Sequence, residues 1–147
     1  MGKVPQGDIP GNRHHVPLLA THASVASGGA NARLSQFGPF AFDIRMRNVW
    51  WSPTGADHAA TQSASYRRLS VYNGGSAGTV TASASRMASL NNSASQASLG
   101  AVPFVVDTTV TLGSGQIGYF SQETVGAADA NGTVLVAGQF SLAYEII

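Results

Sequence analysis

The sequence predicts an all-β protein, an antiparallel β-sandwich that follows an extended N-terminal arm. Apolar residues alternate with polar ones in several short stretches, and glycine, asparagine and proline separate these stretches. No stretch keeps the apolar period of a helix. Roughly seven or eight short strands at this spacing are typical of a sandwich, and 147 residues suffice for one such domain.

The arm is predicted over residues 1–39, which hold four of the six prolines and show no regular apolar period. Its apolar residues are scattered among glycine and proline and cannot bury one another. We therefore expect the arm either to lie along its own domain or to reach a neighbouring molecule, with a disordered tail as the alternative, and the sandwich to occupy residues 40–147. These apolar residues include Val4, Ile9, Val16, Leu18 and Leu19.

The first strand of the predicted sandwich begins at residue 40. Phe40, Ile44, Met46 and Trp50 fall on one face, while Arg45, Arg47 and the neighbouring acid fall on the other. Trp51, the next residue, falls on the other face of the strand from Trp50. One of these two indoles is expected in the core, and the other beneath the arm or in an interface.

The middle of the chain predicts a hairpin. A strand over residues 66–72 ends at Asn73-Gly74-Gly75, a sequence that suits a tight turn, and residues 79–87 alternate as the partner strand. Residues 87–101 could hold one short helix.

The last third alternates most regularly. Strands are expected over residues 104–112, 116–122 and 133–147, and the even positions of the last strand, Phe140 and Leu142 among them, are expected to face the core. Gly138 interrupts that strand and is expected to mark a bulge or bend.

Charged residues are scarce. They make up 10% of the chain, against about 25% in ordinary soluble domains. Charge depletion is typical of interface cores, although a serine-rich loop could also explain it. Residues 1–90 carry a net charge of +5 and residues 91–147 carry −4, so the two parts are expected to neutralise each other within one fold, although the chain could also pair head to tail with copies of itself or with an asymmetric partner surface. The net charge of +1 argues against a nucleic-acid partner on electrostatic grounds.

No apolar run is long enough to cross a membrane, and the start of the chain lacks the apolar block of a secretory signal. We therefore expect no membrane partner and synthesis in the cytoplasm. Because cysteine is absent, disulfides, thiolate metal sites and cysteine nucleophiles are excluded.

Chemistry-bearing motifs are few. Residues 74–78 match G-x-S-x-G around Ser76, but the predicted context is a hairpin tip rather than the strand-to-helix turn that a nucleophile needs. His14 and His15 would point to opposite sides of an extended chain, and the seven acids are spread singly. We expect no enzyme activity, no metal and no cofactor.

The basic residues favour protein contacts. Seven of the eight are arginine, which clamps carboxylates with two parallel hydrogen bonds. Arg45 and Arg47 on one strand could form a docking patch with Arg67 and Arg68 on the next, or a solvated sheet face. The predicted contact residues are Val4, Ile9, Arg13, Val16, Leu18, Leu19, Arg45, Arg47, Trp51, Arg67 and Arg68.

The end of the chain resembles the jelly-roll head decoration, or cement, proteins of tailed bacteriophages. The resemblance spans residues 104–147 and lies in the run VDTTVTLGSGQI (106–117), the loop 126–131 and the run GTVLV (132–136). It is a similarity of pattern rather than of an invariant motif.

The resemblance implies a jelly-roll-like fold and a capsid decoration protein on the outer surface of the virion. Such a protein would be a homotrimer that bridges subunits of the major capsid protein and stabilises the phage head. The alternative is a carbohydrate- or receptor-binding knob of a phage fibre or adhesin, with Trp51, Tyr66 or Tyr72 as the platform on which a sugar stacks.

Overall fold

The protein is a two-sheet sandwich in this computed structural model, which describes residues 13–25, 31–56, 58, 66–92, 98–125 and 135–147. Ten strands lie within these ranges. They are β1 Arg13–His22, β2 Ala32–Phe37, β3 Ile44–Pro53, β4 Tyr66–Asn73, β5 Arg86–Asn92, β6 Val102–Pro103, β7 Val105–Val106, β8 Thr111–Leu112, β9 Gly118–Val125 and β10 Gly138–Ile146. No helix in these ranges is long and apolar enough to cross a membrane.

The strands form two sheets in which every described pair is antiparallel. The first sheet has the order β1-β10-β3-β6, with β8 also pairing β3, and the second has the order β2-β9-β4-β5-β7. Successive strands mostly cross from one sheet to the other. This interleaved order is that of a jelly roll, so the predicted all-β, jelly-roll-like sandwich is confirmed.

The core lies between the two sheets. Phe120 of β9 and Phe140 of β10 stack across it, with ring centroids 4.1 Å apart and ring planes 11° apart. Phe140 and Leu142 are fully buried, as the alternation of the last strand predicts. Around them pack Ile44, Met46, Val49, Leu69, Val71, Met87, Leu112 and Leu135.

Two segments of the predicted arm are strands of the sandwich. β1 pairs with β10 over Arg13–His22, and β2 pairs with β9 over Ala32–Phe37, so the boundary between residues 39 and 40 is wrong for these segments. The register of β1 shifts between His14 and Leu18, where Pro17 has no N–H to donate. The residues of β1 do not alternate between apolar and polar, so the strand is recognised by its pairing with β10. Residues 1–12 lie outside the described residues.

A β-bulge in β3 reverses the predicted positions of the two tryptophans. Asn48 pairs with Ala143 and Met46 pairs with Tyr144, which leaves Arg47 as the extra residue. An extra residue moves every later side chain to the opposite face. Trp51 consequently enters the core at 0% exposure, and Trp50 lies half-buried on the outside.

The β4–β5 connection is a long loop rather than a tight hairpin. β4 ends at Asn73 and β5 begins at Arg86, with one 3-10 turn at Ser83–Ser85 between them. Gly75 and Gly78 take positive φ angles, which glycine adopts without strain. Residues 87–92 are strand rather than helix. The loop folds back over the second sheet, where Val80 O accepts a hydrogen bond of 2.7 Å from the Tyr119 hydroxyl.

Candidate functional site

The outer face of the first sheet, the side away from the core, carries uncharged side chains along its middle. Ser141 of β10 lies opposite Trp50 of β3, and Gln139 lies opposite Ser52. All four are half-buried. Their core-facing neighbours are Phe140 and the other buried residues of the same strands, so strand alternation directs these four outward. We call this surface the neutral face.

Two arginines and one glutamate occupy one end of the neutral face. Arg47 Nε donates a hydrogen bond of 2.5 Å to Glu145 Oε2, and the two residues form an ion pair. In the ladder, Glu145 is opposite Arg45 of β3 on one side and the backbone of Arg13 in β1 on the other. Arg45 Nε is buried and has no hydrogen-bond partner within the described ranges. This arginine end has more positive than negative charge.

The structure brings together three of the predicted contact residues in neighbouring strands, namely Arg13, Arg45 and Arg47. β1, the edge strand of the same sheet, contains Val16, Leu18 and Leu19. At these three positions the structure describes the backbone only. Val4 and Ile9 lie outside the described residues.

Arg67 and Arg68 belong to the second sheet and do not join this patch. Arg67 is 1% exposed and lies on the core side of β4 with Leu69 and Val71. Its Nη1 donates to Gln122 Oε1. Its prediction as a docking residue is therefore wrong. The sequence does contain a signal against a shared patch, because Arg67 and Arg68 are adjacent and neighbouring residues of a strand point to opposite faces.

Trp51 is buried, so it is neither a docking residue nor a platform for sugars. Its Nε1 donates a hydrogen bond of 2.9 Å to His22 Nε2, while His22 Nδ1 donates to Ala23 O at 2.8 Å. Nε2 can accept a hydrogen bond only in the neutral imidazole, the bond to Ala23 O places the proton on Nδ1, and burial lowers the His22 pKa. Gly138 makes room for Trp51 and His22, because a Cβ at this position would overlap Trp51 Nε1 and His22 Nε2. It begins β10 rather than interrupting a strand.

His58 lies beside this pair and is also fully buried. Its ring meets the Trp51 ring edge-on, with centroids 5.6 Å apart. Neither ring nitrogen has a hydrogen-bond partner among the described residues. Burial, with the charge of Arg67, lowers the His58 pKa, so the ring is held neutral.

Polar side chains form a cluster around Glu123 on the outer face of the second sheet. The sequence pattern does not predict this cluster. Arg68 Nε donates to Glu123 Oε2 at 2.6 Å, Ser70 Oγ donates to the same atom at 3.1 Å, and the Tyr72 hydroxyl donates to Oε1. Arg86 Nη2 donates to the Tyr72 hydroxyl at 2.9 Å. These residues come from neighbouring strands, and cross-strand pairing cannot be read from single positions in a sequence.

The donors around Glu123 hold its carboxylate in the charged form. Burial opposes ionisation, but the hydrogen bonds from Tyr72 and Arg68 and the charges of Arg68 and Arg86 outweigh it, so the Glu123 pKa is lowered. The Tyr72 ring is 2% exposed and stacks on the Tyr119 ring at a centroid distance of 5.4 Å. Tyr72 is therefore unavailable as a stacking platform, and Tyr66 is half-buried.

A cleft of about 280 Å³ opens beside this cluster. Its walls come from β2, β9 and the β4–β5 loop. Arg33 of β2 places its guanidinium carbon 4.1 Å from the centroid of the Tyr119 ring, and its Nη2 donates to Gly78 O. Other residues of the wall are Asn31, Thr81, Ser121 and Glu123.

The described residues do not bring the candidate catalytic motifs into the arrangement that catalysis needs. In the described part of the chain, no group of three His, Cys, Asp or Glu side chains could hold a metal ion. Ser76 is exposed in a turn over residues 75–78, and the next helical residues are the 3-10 turn at Ser83–Ser85. This is not the strand-to-helix setting of a nucleophile elbow.

No protein-family model matches the chain, and no curated protein matches it. A chain in the solved "Structure of infectious bursal disease virus Gx strain" is similar over 99% of this chain and 44% of that chain, with 14% sequence identity and a TM-score of 0.31. The present chain thus spans less than half the length of that viral chain. A similarity at this level decides neither the family nor the function of the chain. The fold is assigned from the strand order alone.

Proposed function

We propose that the chain is a viral structural protein, a capsid decoration (cement) protein that docks through its neutral face. One observation carries the proposal. The middle of that face is built from uncharged side chains that are half-buried, with arginines concentrated at one end. Flat patches depleted of charge are typical of protein interfaces, and arginine is enriched in them.

The opposite side of the sandwich supports this choice by contrast. There, the β4–β5 loop covers part of the second sheet, and Glu123 is already bound by its own neighbours. Among the described residues of the first sheet's outer face, the four side chains of the neutral face carry no charge that a partner would have to displace. We therefore infer that the major capsid protein is the partner, and that an acidic segment of that partner meets the arginine end.

The proposed mechanism is passive. Each docked copy would bridge neighbouring capsid subunits on the outer surface of the virion and raise the free energy needed to separate them. In a homotrimer three neutral faces act together, so modest contacts give high avidity. The mechanism requires no cofactor, and the contributions of Val4 and Ile9 stay a prediction.

The test places one substitution on each side of the sandwich. Ser141→Arg puts a long charged side chain in the middle of the neutral face, and Ser76→Arg makes the same change in the exposed turn of the opposite loop. Binding to purified empty heads of the parent virus is measured by co-sedimentation. We expect Ser141→Arg to weaken binding by about tenfold or more and Ser76→Arg to leave it unchanged. Equal binding by the two variants, or no binding by the unaltered protein, would contradict the proposal.

A further inference from the structure

Two exposed charged groups lie at opposite edges of the second sheet. Arg33 belongs to β2 at one edge, and Asp107 directly follows β7 at the other. Four strand spacings separate the two edge strands, a distance of about 19 Å. Arg33 and Asp107 therefore cannot pair within one chain.

Arg33 is a fixed cation without a carboxylate partner among the described residues. The face of Tyr119 and the carbonyl of Gly78 hold its guanidinium in the cleft, and the side chain is exposed. Glu123 lines the same cleft, but Arg68, Ser70 and Tyr72 already donate to its carboxylate. A guanidinium held in this way has little freedom left to lose on binding a planar anion.

Asp107 is a fixed anion at the opposite edge. Its Oδ1 accepts hydrogen bonds from the Thr109 hydroxyl at 2.6 Å and from the Thr109 N–H at 2.9 Å, and these bonds lower the Asp107 pKa. Its other carboxylate oxygen has no recorded hydrogen bond in the described part of the chain. Beside it, Val105 is 79% exposed, and a hollow of about 470 Å³ lies between Asp107 and β5.

We propose that the Asp107 turn of one copy docks into the Arg33 cleft of a second copy of this chain. The Asp107 carboxylate would pair with the Arg33 guanidinium, and the contact would cover the exposed Val105. The opposite net charges of the two parts of the sequence favour the same head-to-tail arrangement.

Because the two contact regions are different surfaces of one chain, the contact repeats from copy to copy. Such a heterologous contact builds a ring if the rotation closes and a filament if it does not. The inference rests on the self-association that forms part of the proposed function, and it names the residues that would produce the homotrimer.

The test is a charge reversal, read as molar mass by size-exclusion chromatography with light scattering and needing no capsid. The unaltered protein should be an oligomer. Arg33→Glu and Asp107→Arg should each raise the dissociation constant of self-association by about a hundredfold. An equimolar mixture of the two variants should associate again, because Asp107 of the Arg33→Glu variant can meet the intact Arg33 of the Asp107→Arg variant, and the two substituted side chains also carry opposite charges. For the same reason the double variant should regain the oligomer.

Asp43→Arg is the matched control. Asp43 is also exposed and also bonds a turn, since its Oδ1 accepts from Ser114 N at 2.6 Å, but it lies at the start of β3 in the other sheet. This variant should remain oligomeric. Melting curves confirm that each variant is folded, and Asp107→Arg, in a fully exposed turn, tests the contact even if Arg33→Glu unfolds.

Three results would overturn the inference: a monomeric unaltered protein, an oligomer that survives Asp107→Arg, or a double variant that stays monomeric while folded. Failure of the proposed function is seen separately, because Ser141→Arg affects binding to heads and should leave the molar mass unchanged. A stable oligomer that does not bind heads would remove the docking proposal and keep the Arg33–Asp107 contact.

Discussion

The outer faces of the two sheets differ in how much of their surface the protein itself occupies. On the second sheet, the β4–β5 loop lies over Tyr119, and two arginines, a tyrosine and a serine surround Glu123. On the first sheet, uncharged side chains form the neutral face, and Arg47 forms an ion pair with Glu145. The comparison predicts that the second sheet's outer face contributes more to folding stability than the first sheet's outer face does.

The largest expected effect separates the inside of the first sheet from its outside. Trp51→Ala should lower the free energy of unfolding by about 3–5 kcal/mol, because it empties a fully buried site. Trp50→Ala, one residue away on the neutral face, should cost about 1 kcal/mol. Urea denaturation measures both. Similar losses would show that the outside of the first sheet also supports the fold.

The next effect compares one carboxylate from each outer face. The side chains of Glu123 and Glu145 are 12% and 13% exposed, so burial is matched. Glu123→Gln should cost about 2–3 kcal/mol, because it leaves Arg68 and Arg86 without their anion. Glu145→Gln should cost less, about 1–2 kcal/mol, because one arginine rather than two would lose its anion. The two sheets would not differ as described if Glu145→Gln were the more damaging change in the same denaturation assay.

The Glu123 effect should also depend on pH. Its pKa is lowered from the ordinary 4.5, so its contribution to stability is complete above that pH and is lost as the pH falls through the folded-state value. The stability gap between the unaltered protein and Glu123→Gln should therefore shrink as the pH falls below about 4.5. Denaturation at a series of pH values measures the gap, and the histidines cancel because both proteins contain them. A gap that stays constant into strong acid would assign the stabilisation to packing instead of charge.

The smallest effect concerns the loop on the second sheet. Tyr119→Phe removes the hydroxyl that donates to Val80 O and should cost about 1 kcal/mol. It should also speed amide hydrogen exchange in residues 74–85, with little change in β10. Unaltered exchange in the loop would mean that this bond does not hold the loop on the sheet.

Much of the fold could be predicted because the later strands carry their own signal. Phe140 and Leu142 alternate with polar residues, and β4 begins at Tyr66 as predicted. β1 carries no such signal, since Pro17 breaks its alternation and the strand exists through pairing with β10. A strand defined by its neighbour cannot be recognised from its own residues.

The candidate site was predictable only in part, for reasons of register. Arg45 and Arg47 lie on the first sheet near Glu145, but the extra residue Arg47 in β3 shifts the face on which Trp51 falls. A single bulge is invisible to an alternation pattern and reverses every position after it. The Glu123 cluster and the Arg33 cleft depend on contacts between strands and a loop that are distant in sequence.

The pairing of β1 with β10 has a practical consequence for attaching cargo. Arg13 and Glu145 are paired, so the start of β1 and the end of β10 lie side by side, about 5 Å apart between Cα atoms. A peptide fused after Ile147 would leave the molecule beside the arginine end and obstruct it. An epitope inserted between Ser76 and Ala77, in the exposed turn of the β4–β5 loop, would instead project from the opposite side of the sandwich and leave the arginine end free.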